Sequence, residues 1–343
     1  MVDINLLVRD NVRALIPYSS ARDEFQGKEG IFLDANENPY GKLNRYPDPY
    51  QKELKARISK IKRVPEENIF LGNGSDEIID LTYRTFCRPG VDKALAFSPT
   101  YGMYEVSAGI NDIVFIKIPL NDNFQIDKAK AASALDDPFL KLIFICSPNN
   151  PTGNSFDFAD IESIIAGSRS IVLIDEAYSD FSGKQSFKTM TGKYPNLIVM
   201  QTFSKAFGLA AARIGMAFTN QQIVKYFNKL KPPYNISSLN QKAALRQLAH
   251  YEKSLEQVRR IIRERERLRE ALCKLKIVEK IYPSDANFLL VKICDPDFVY
   301  NTLVSNNIIV RNRSRIIPGC LRITVGTRSE NNRLLAELNR IRI

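Results

Sequence analysis

Short apolar runs alternate with amphipathic segments along the first two thirds of the chain. Helical spacing occurs in YQKELKARISKI and in SDEIIDLTYRTF, and the second segment opens on Ser75, Asp76 and Glu77, which suit a first helical turn. Strand-like runs are NIFLGNG, KALAFS, DIVFIKIP, LKLIFICS, SIVLIDEAY and NLIVMQTFS. Several of these runs are apolar throughout, which favours strands buried on both faces. The pattern therefore predicts an α/β fold with a large, mostly parallel sheet covered by helices.

The pattern changes near residue 232. After the segment KPPYNISS, a long helical stretch runs to about residue 275. The segments NFLLVKI, FVYNTLVSNN, IIVRN and LRITVG then predict a small α+β unit, and SENNRLLAELNRIRI predicts a terminal helix. We therefore expect an N-terminal arm over 1–39, a large α/β domain over 40–235 and a smaller C-terminal domain over 236–343.

Composition restricts the class of protein and its partners. The 343 residues include 44% hydrophobic and 25% charged residues, which is typical of a soluble globular protein. The net charge of +11 is compatible with nucleic acid or with small anions. The densest basic run, RRIIRERERLRE, interleaves arginine with glutamate, which favours an ion-paired helix surface over nucleic-acid binding. We expect small-molecule substrates, and neither nucleic acid nor a membrane as a partner.

Cysteine and histidine usage excludes several kinds of site. The five cysteines are widely spaced and form no C-x-x-C motif, which argues against a disulfide framework or a zinc site and favours a reducing, cytoplasmic location. The N-terminal segment lacks a signal peptide's apolar region, and no apolar run approaches the roughly 18 residues that span a bilayer. With His250 as the single histidine, a catalytic triad or a histidine-based metal site is not expected.

Candidate chemistry lies where predicted strands end, which is where open α/β sheets bind their ligands. Gly72 and Gly74 in LGNGSDEII allow a tight turn before a helix whose first N–H groups can hold an anion. SPNNPTG follows another strand, and both motifs are equally typical of ordinary turns. Asp175 in IVLIDEAY ends an apolar strand, where a carboxylate needs a cationic partner.

The segment QTFSKAFGLAAARIGM contributes a lysine and further anion-binding groups. Lys205 can form a Schiff base with an aldehyde, while Thr202, Ser204 and Arg213 can bind a phosphate. Taken together with Asp175, these groups meet the requirements of pyridoxal 5'-phosphate, which needs a lysine, a carboxylate for its ring nitrogen and an anion site. The sequence therefore predicts this cofactor.

The same motifs resemble the fold-type I, class I/II family of pyridoxal-phosphate-dependent aminotransferases. The resemblance runs nearly end to end, through LIPYSSAR, DANENPYG, SPTYGMY, SPNNPTG, DEAY, TFSKAFGLAAARIG, SDANFLLV and IIVRN. RYPDP, GNGSDE and GCLRITVGT are more selective and resemble the histidinol-phosphate aminotransferase subfamily. This similarity implies a homodimer that transfers an amino group between L-glutamate and imidazole-acetol phosphate, giving 2-oxoglutarate and L-histidinol phosphate.

The resemblance also implies a role for each matching residue. Lys205 would carry the cofactor and move a proton, and Asp175 would pair with the ring nitrogen. Tyr101 would stack on the cofactor ring, and Asn150 and Tyr178 would hydrogen-bond its phenolic oxygen. Tyr46 would reach across the dimer interface to the phosphate of the partner's cofactor. The phosphate contacts within the same chain would be Gly74, Ser75, Asp76, Thr202, Ser204 and Arg213. Substrate contacts would be Arg322 for the α-carboxylate, with Arg311, Tyr18 and Asn287 near the second substrate's phosphate. Glu37 is a possible wall residue.

Other functions share most of this pattern. A threonine-phosphate decarboxylase-like enzyme and an aromatic or broad-specificity aminotransferase would use the same cofactor motifs. A transcription regulator with an aminotransferase-like domain would need a DNA-binding module, for which the 39 residues before YGKLNRYPD leave no room.

Overall fold

The structure is a computed structural model that describes residues 2–18 and 30–341. Its helices are α1 (Ile4–Leu7), α2 (Asp10–Ala14), α3 (Lys52–Lys62), α4 (Ser75–Phe86), α5 (Met103–Ile110), α6 (Lys128–Leu135), α7 (Phe158–Gly167), α8 (Gln221–Leu230), α9 (Ser238–Ala249), α10 (Tyr251–Leu272), α11 (Pro296–Ser305) and α12 (Arg328–Arg340). Its strands are β1 (Ile69–Asn73), β2 (Lys93–Ser98), β3 (Val114–Pro119), β4 (Leu140–Cys146), β5 (Ile171–Asp175), β6 (Leu197–Thr202), β7 (Ile214–Phe218), β8 (Val278–Ile281), β9 (Phe288–Ile293), β10 (Arg311–Asn312) and β11 (Cys320–Thr324).

The large sheet contains seven of the described strands in the order β1-β7-β6-β5-β4-β2-β3. The pairs from β6 through β3 are parallel, and β7 runs antiparallel to both of its neighbours. The predicted α/β fold with a mostly parallel sheet is therefore confirmed. The apolar pattern did not predict β7, a short strand in which Gly215 pairs with Gly72 on one side and Thr202 on the other.

Both faces of this sheet are covered, as the continuous apolar runs predicted. In β5, Val172 and Ile174 belong to one apolar cluster, whereas Leu173 belongs to a second cluster on the opposite face. All five residues of β5 are buried, including Asp175 at its end. The alternation of side chains along each strand assigns neighbouring residues to the two clusters.

The small sheet is antiparallel and has the order β10-β11-β9-β8. Leu268 and Leu272 of α10, together with side chains from α11 and α12, pack against β9 and β11 in a separate cluster. Helix α9 contributes Ala244 and Leu248 to the core of the large sheet instead. The boundary between the two domains at residue 235 stays a prediction.

The single helical stretch expected up to about residue 275 is wrong at His250. The backbone there has φ −111° and ψ 38°, which ends α9 and begins α10. Along α10, Arg260, Arg267 and Arg269 form ion pairs with nearby glutamates, so the interleaved charges do form an ion-paired helix surface. None of the helices within residues 2–18 and 30–341 combines the length and the apolar character needed to span a bilayer.

Candidate active site

A cavity of about 420 Å³ lies where β4, β5 and β6 end, between the large sheet and the small one. Twelve of the residues singled out in the sequence line it: Ser75, Asp76, Tyr101, Asn150, Asp175, Tyr178, Thr202, Ser204, Lys205, Arg213, Arg311 and Arg322. Parallel strands bring their carboxyl ends to one edge, so side chains far apart in sequence meet there. The fold therefore assembles the candidate chemistry in one place.

One end of the cavity is built to hold an anion. Gly74 has φ +79°, and a side chain at this position would collide with the Arg213 guanidinium. Gly74 precedes Ser75, the first residue of α4, whose N-terminal N–H groups lack partners within the helix. Asp76 positions the side chains of Arg213 and Tyr101. Its carboxylate accepts hydrogen bonds from Arg213 Nη2 at 3.2 Å and from the Tyr101 hydroxyl at 3.1 Å.

Ser204 adds an unused donor to this end of the cavity. Its backbone N–H donates to Thr202 Oγ1 at 3.1 Å, and Thr202 Oγ1 donates to the Ile214 carbonyl at 3.3 Å. The Ser204 hydroxyl itself is buried and has no hydrogen-bond partner among the described residues. A buried hydroxyl without a partner is unfavourable, so the arrangement favours a bound ligand that accepts from it.

Asp175 lies buried at the centre of the cavity wall. Its Oδ2 accepts from the Tyr104 hydroxyl at 2.6 Å and its Oδ1 accepts from the Ala177 N–H at 3.0 Å. Burial raises the pKa of Asp175, while the Tyr104 hydrogen bond and the nearby Lys205 act in the opposite direction. A buried carboxylate of this kind is stabilised by a cation, such as a protonated ring nitrogen.

Lys205 follows β6 and faces the same cavity. The Lys205 side chain is exposed. Partial desolvation nevertheless lowers the pKa of Lys205, and Arg322 lowers it further while Asp175 opposes the shift. Its Nζ lies 5.7 Å from the centre of the Tyr178 ring. A lysine with a lowered pKa carries more of its neutral, nucleophilic amine near neutral pH.

Arg322 enters the cavity from the small sheet. Its Nη1 donates to Asn150 Oδ1, and its guanidinium carbon lies 5.2 Å from the centre of the Phe288 ring. The Nε of Arg322 is buried and has no hydrogen-bond partner in the part of the chain that the structure describes. Desolvation lowers the pKa of Arg322, while Tyr178 opposes that shift. This arginine therefore keeps an unused donor for a planar carboxylate.

Five predicted residues do not line the cavity of the single chain: Gly74, which directly precedes the lining residue Ser75, and four that lie elsewhere. The Tyr46 ring stacks on Tyr234 at 4.4 Å between centroids, and Glu37 accepts from the Tyr46 N–H at 2.6 Å. Tyr18 is 73% exposed, and the Asn287 carbonyl accepts from the N–H of Val325, the residue after β11, at 2.9 Å. Their assigned roles stay predictions.

Sequence reasoning missed three contributors. Tyr104 lies inside the motif SPTYGMY, three residues after Tyr101, and faces the core from α5, a helix that the sequence pattern did not predict. A tyrosine that is buried needs a partner for its hydroxyl, which was the available signal. Arg313 lines the cavity two residues after Arg311. Residues two apart in an extended strand lie on the same face, so the spacing from Arg311 was the available signal. Gly215 had no clear signal, because its role depends on a backbone contact between distant strands.

Comparisons with known proteins agree with this arrangement. The sequence pattern of the family described as aminotransferase class I and II matches residues 28–338. A histidinol-phosphate aminotransferase of Cytophaga hutchinsonii is 51% identical over 339 residues, which are 97% of this chain and 97% of the relative. One of Bacteroides fragilis is 49% identical over 99% of both chains. The crystal structure of the histidinol-phosphate aminotransferase from Clostridium acetobutylicum has a TM-score of 0.79 and 26% identity, covering 87% of this chain and 90% of that one. The chain therefore belongs to the class I and II aminotransferase family.

Proposed function

We propose that the chain is a pyridoxal-phosphate-dependent histidinol-phosphate aminotransferase. It transfers the amino group of L-glutamate to imidazole-acetol phosphate, which yields 2-oxoglutarate and L-histidinol phosphate for histidine synthesis. The observation that carries this proposal is the convergence of Lys205, Asp175 and Arg322 on one cavity that also has an anion-binding end. The curated relatives at about half sequence identity support the choice of substrates.

The residues of the cavity fit the cofactor. The N–H groups at Ser75, the unpartnered Ser204 hydroxyl and Arg213 are suited to its phosphate, and the buried Asp175 carboxylate is suited to its ring nitrogen. When bound, pyridoxal 5'-phosphate supplies an electron sink that stabilises negative charge at the substrate Cα. Asp175 would keep the ring nitrogen protonated, because a buried carboxylate favours the charged form of a neighbouring base.

Lys205 would hold the cofactor covalently and carry the proton that leaves the substrate Cα. Its lowered pKa suits this role, since an acceptor of that proton must be neutral before the transfer. Tyr178, whose ring faces the Lys205 amine, and Asn150 would donate to the phenolic oxygen of the cofactor. Arg322 would bind the α-carboxylate in a two-point contact, which orients Cα towards Lys205.

Both substrates carry a second anionic group, and the cavity offers arginines for it. Arg311 pairs across the small sheet with Arg322 and lines the same cavity. A protein with a basic cavity attracts anionic substrates and raises their local concentration. The phosphate of the second substrate would therefore bind at the Arg311 end.

A coupled assay tests this function directly. Purified holoenzyme is mixed with L-histidinol phosphate and 2-oxoglutarate, and glutamate is measured, with phenylalanine and threonine phosphate as competing substrates. We expect L-histidinol phosphate to give the highest kcat/KM. A higher value for phenylalanine would assign a broad-specificity aminotransferase instead. Release of CO₂ from threonine phosphate would assign a decarboxylase.

We also propose that two copies of the chain form the working enzyme. The segment before α3 exposes large apolar side chains, including Ile31 at 91%, Leu33 at 88% and Tyr40 at 84%, and a second copy would cover them. Tyr46 belongs to the same segment and would reach the partner's cofactor phosphate. Light scattering coupled to gel filtration should give twice the chain mass of 39.0 kDa; a mass of one chain at micromolar concentration would refute the dimer.

A further inference from the structure

Three arginines from one face of the small sheet converge on the cavity. Arg311 lies directly opposite Arg322 in the β10–β11 ladder. Arg313 follows two residues later, and its N–H donates to the Cys320 carbonyl at 2.9 Å, which continues the ladder. Residues two apart in an extended strand share a face, so Arg313 and Arg311 point to the same side. All three side chains line the cavity.

Nothing within the described residues neutralises Arg313. Its Nε is buried without a hydrogen-bond partner. The ionisable groups that act on it are Arg322 and Arg311, which together with desolvation lower its pKa, and Tyr178, which opposes them. In contrast, Arg213 in the same cavity is held by Asp76. Like charges placed opposite one another destabilise a sheet, so this cluster favours a bound anion.

Of the three arginines, Arg322 is placed at the reacting centre, because its Nη1 donates to Asn150 Oδ1 and it lowers the pKa of Lys205. The α-carboxylate is bonded to the Cα that must lie at the Lys205 amine, so it belongs with Arg322. Arg311 and Arg313 are therefore left for the distal end of the substrate.

We propose that Arg313 acts with Arg311 to bind the phosphate of the second substrate and thereby sets the preference for a phosphate ester. This inference rests on the proposed aminotransferase function and adds a residue to its specificity. A phosphate monoester carries close to two negative charges at neutral pH, and two guanidinium groups match both its charge and its oxygens. The distal carboxylate of glutamate carries one charge, so Arg311 alone suffices for it.

The test compares both substrates in holoenzyme variants. For Arg313→Gln we expect kcat/KM for L-histidinol phosphate to fall about tenfold to a hundredfold, the range of one charged hydrogen-bonded contact. The value for L-glutamate should change by less than about threefold. Arg313→Lys should fall between, because lysine keeps the charge but not the planar fork. Arg315→Gln is the matched control, since Arg315 is an exposed arginine outside the cavity lining.

A binding measurement separates recognition from turnover. Inorganic phosphate is titrated into holoenzyme by calorimetry, and Arg313→Gln should raise its Kd at the substrate site by about tenfold, with Arg315→Gln unchanged. Thermal unfolding verifies that the variants are folded. If Arg313→Gln does not fold, Arg313→Lys is used for the titration in its place. Equal losses for both substrates, or unchanged phosphate affinity, would overturn the role of Arg313. Wild-type enzyme that ignores L-histidinol phosphate would instead refute the proposed function, while the phosphate titration still decides the role of Arg313.

Discussion

Gly215 of β7 lies against the Gly74–Ser75 backbone at the start of α4, and replacing it with alanine perturbs the anion-binding end. A Cβ at this position would lie 2.6 Å from the Gly74 carbonyl carbon and oxygen and 2.6 Å from the Ser75 nitrogen. All three are backbone atoms, so no side-chain rotation relieves the contact. The alanine must displace the Gly74–Ser75 backbone, which carries the N–H groups assigned to the phosphate.

The size of the effect follows from this geometry. An ordinary contact begins at 3.4 Å, so the backbone must move by the difference of about 0.8 Å. Overpacking of this kind costs about 2–3 kcal/mol. For 343 residues at about 2.1 cal/mol/K each, the entropy of unfolding is about 0.7 kcal/mol/K, so the Tm should fall by about 3–4 °C. Losing one hydrogen bond to the phosphate should raise the Kd of the cofactor about tenfold to a hundredfold.

Two measurements test this expectation. Scanning calorimetry of the apoprotein gives the Tm without the cofactor, and titration with pyridoxal 5'-phosphate followed by absorbance gives its Kd. Gly109→Ala in α5 is the matched control, because among the described residues, apart from its chain neighbours and the backbone of its own helix, no heavy atom lies within 4 Å of the added Cβ. Alanine is favoured over glycine in a helix by about 0.5–1 kcal/mol, so this control should unfold about 1 °C higher than wild type.

Gly215→Ala would refute the close backbone contact if it unfolded within about 1 °C of the wild type and bound the cofactor with the same Kd. That result would mean that the strands tolerate a methyl group between Gly215 and Gly74. The anion-binding end would then depend less on close backbone contact than the structure indicates. If the Tm fell but the cofactor Kd did not change, the close contact between Gly215 and Gly74 would be supported. Its effect on the phosphate site would then be refuted.

The remaining predictions concern the centre of the cavity. Lys205→Ala should abolish transamination and the long-wavelength absorbance of the bound cofactor; a variant that kept the wild-type spectrum would remove Lys205 from its assigned role. Tyr104→Phe should lower the free energy of unfolding of the apoprotein by about 1.5–3 kcal/mol at pH 8, because Asp175 loses a donor at 2.6 Å. Burial already holds the pKa of Asp175 above its unfolded value, and losing the donor raises it further, so the penalty should be full at high pH and shrink as pH falls and the carboxyl is protonated. Urea unfolding at pH 8 and pH 5 measures this penalty, and a larger decrease in the free energy of unfolding at pH 5 than at pH 8 would contradict the prediction.

The secondary-structure elements that depend on residues close together in the chain could be predicted from the sequence. β2 over Lys93–Ser98 and α4 over Ser75–Phe86 have the predicted bounds, because apolar periodicity and first-turn residues act within a few positions. His250 shows the limit of periodicity as a predictor, because the helical pattern continues through the position where the backbone turns and divides α9 from α10. The short strand β7 was also not predicted, because a five-residue apolar run that is buried on both faces does not by periodicity alone indicate a strand.

The sequence by itself determined which chemical groups are available: a lysine, a buried acid, glycine turns and arginines in a fixed order along the chain. Only the tertiary structure decided that Tyr104 supports Asp175, that Gly215 touches the Gly74 backbone, and that the Arg313 Nε is buried without a partner among the described residues. The physical reason is that propensity and motif spacing are local properties. Contacts between residues tens to hundreds of positions apart depend on how the sheets pack, and no short stretch of sequence encodes that packing.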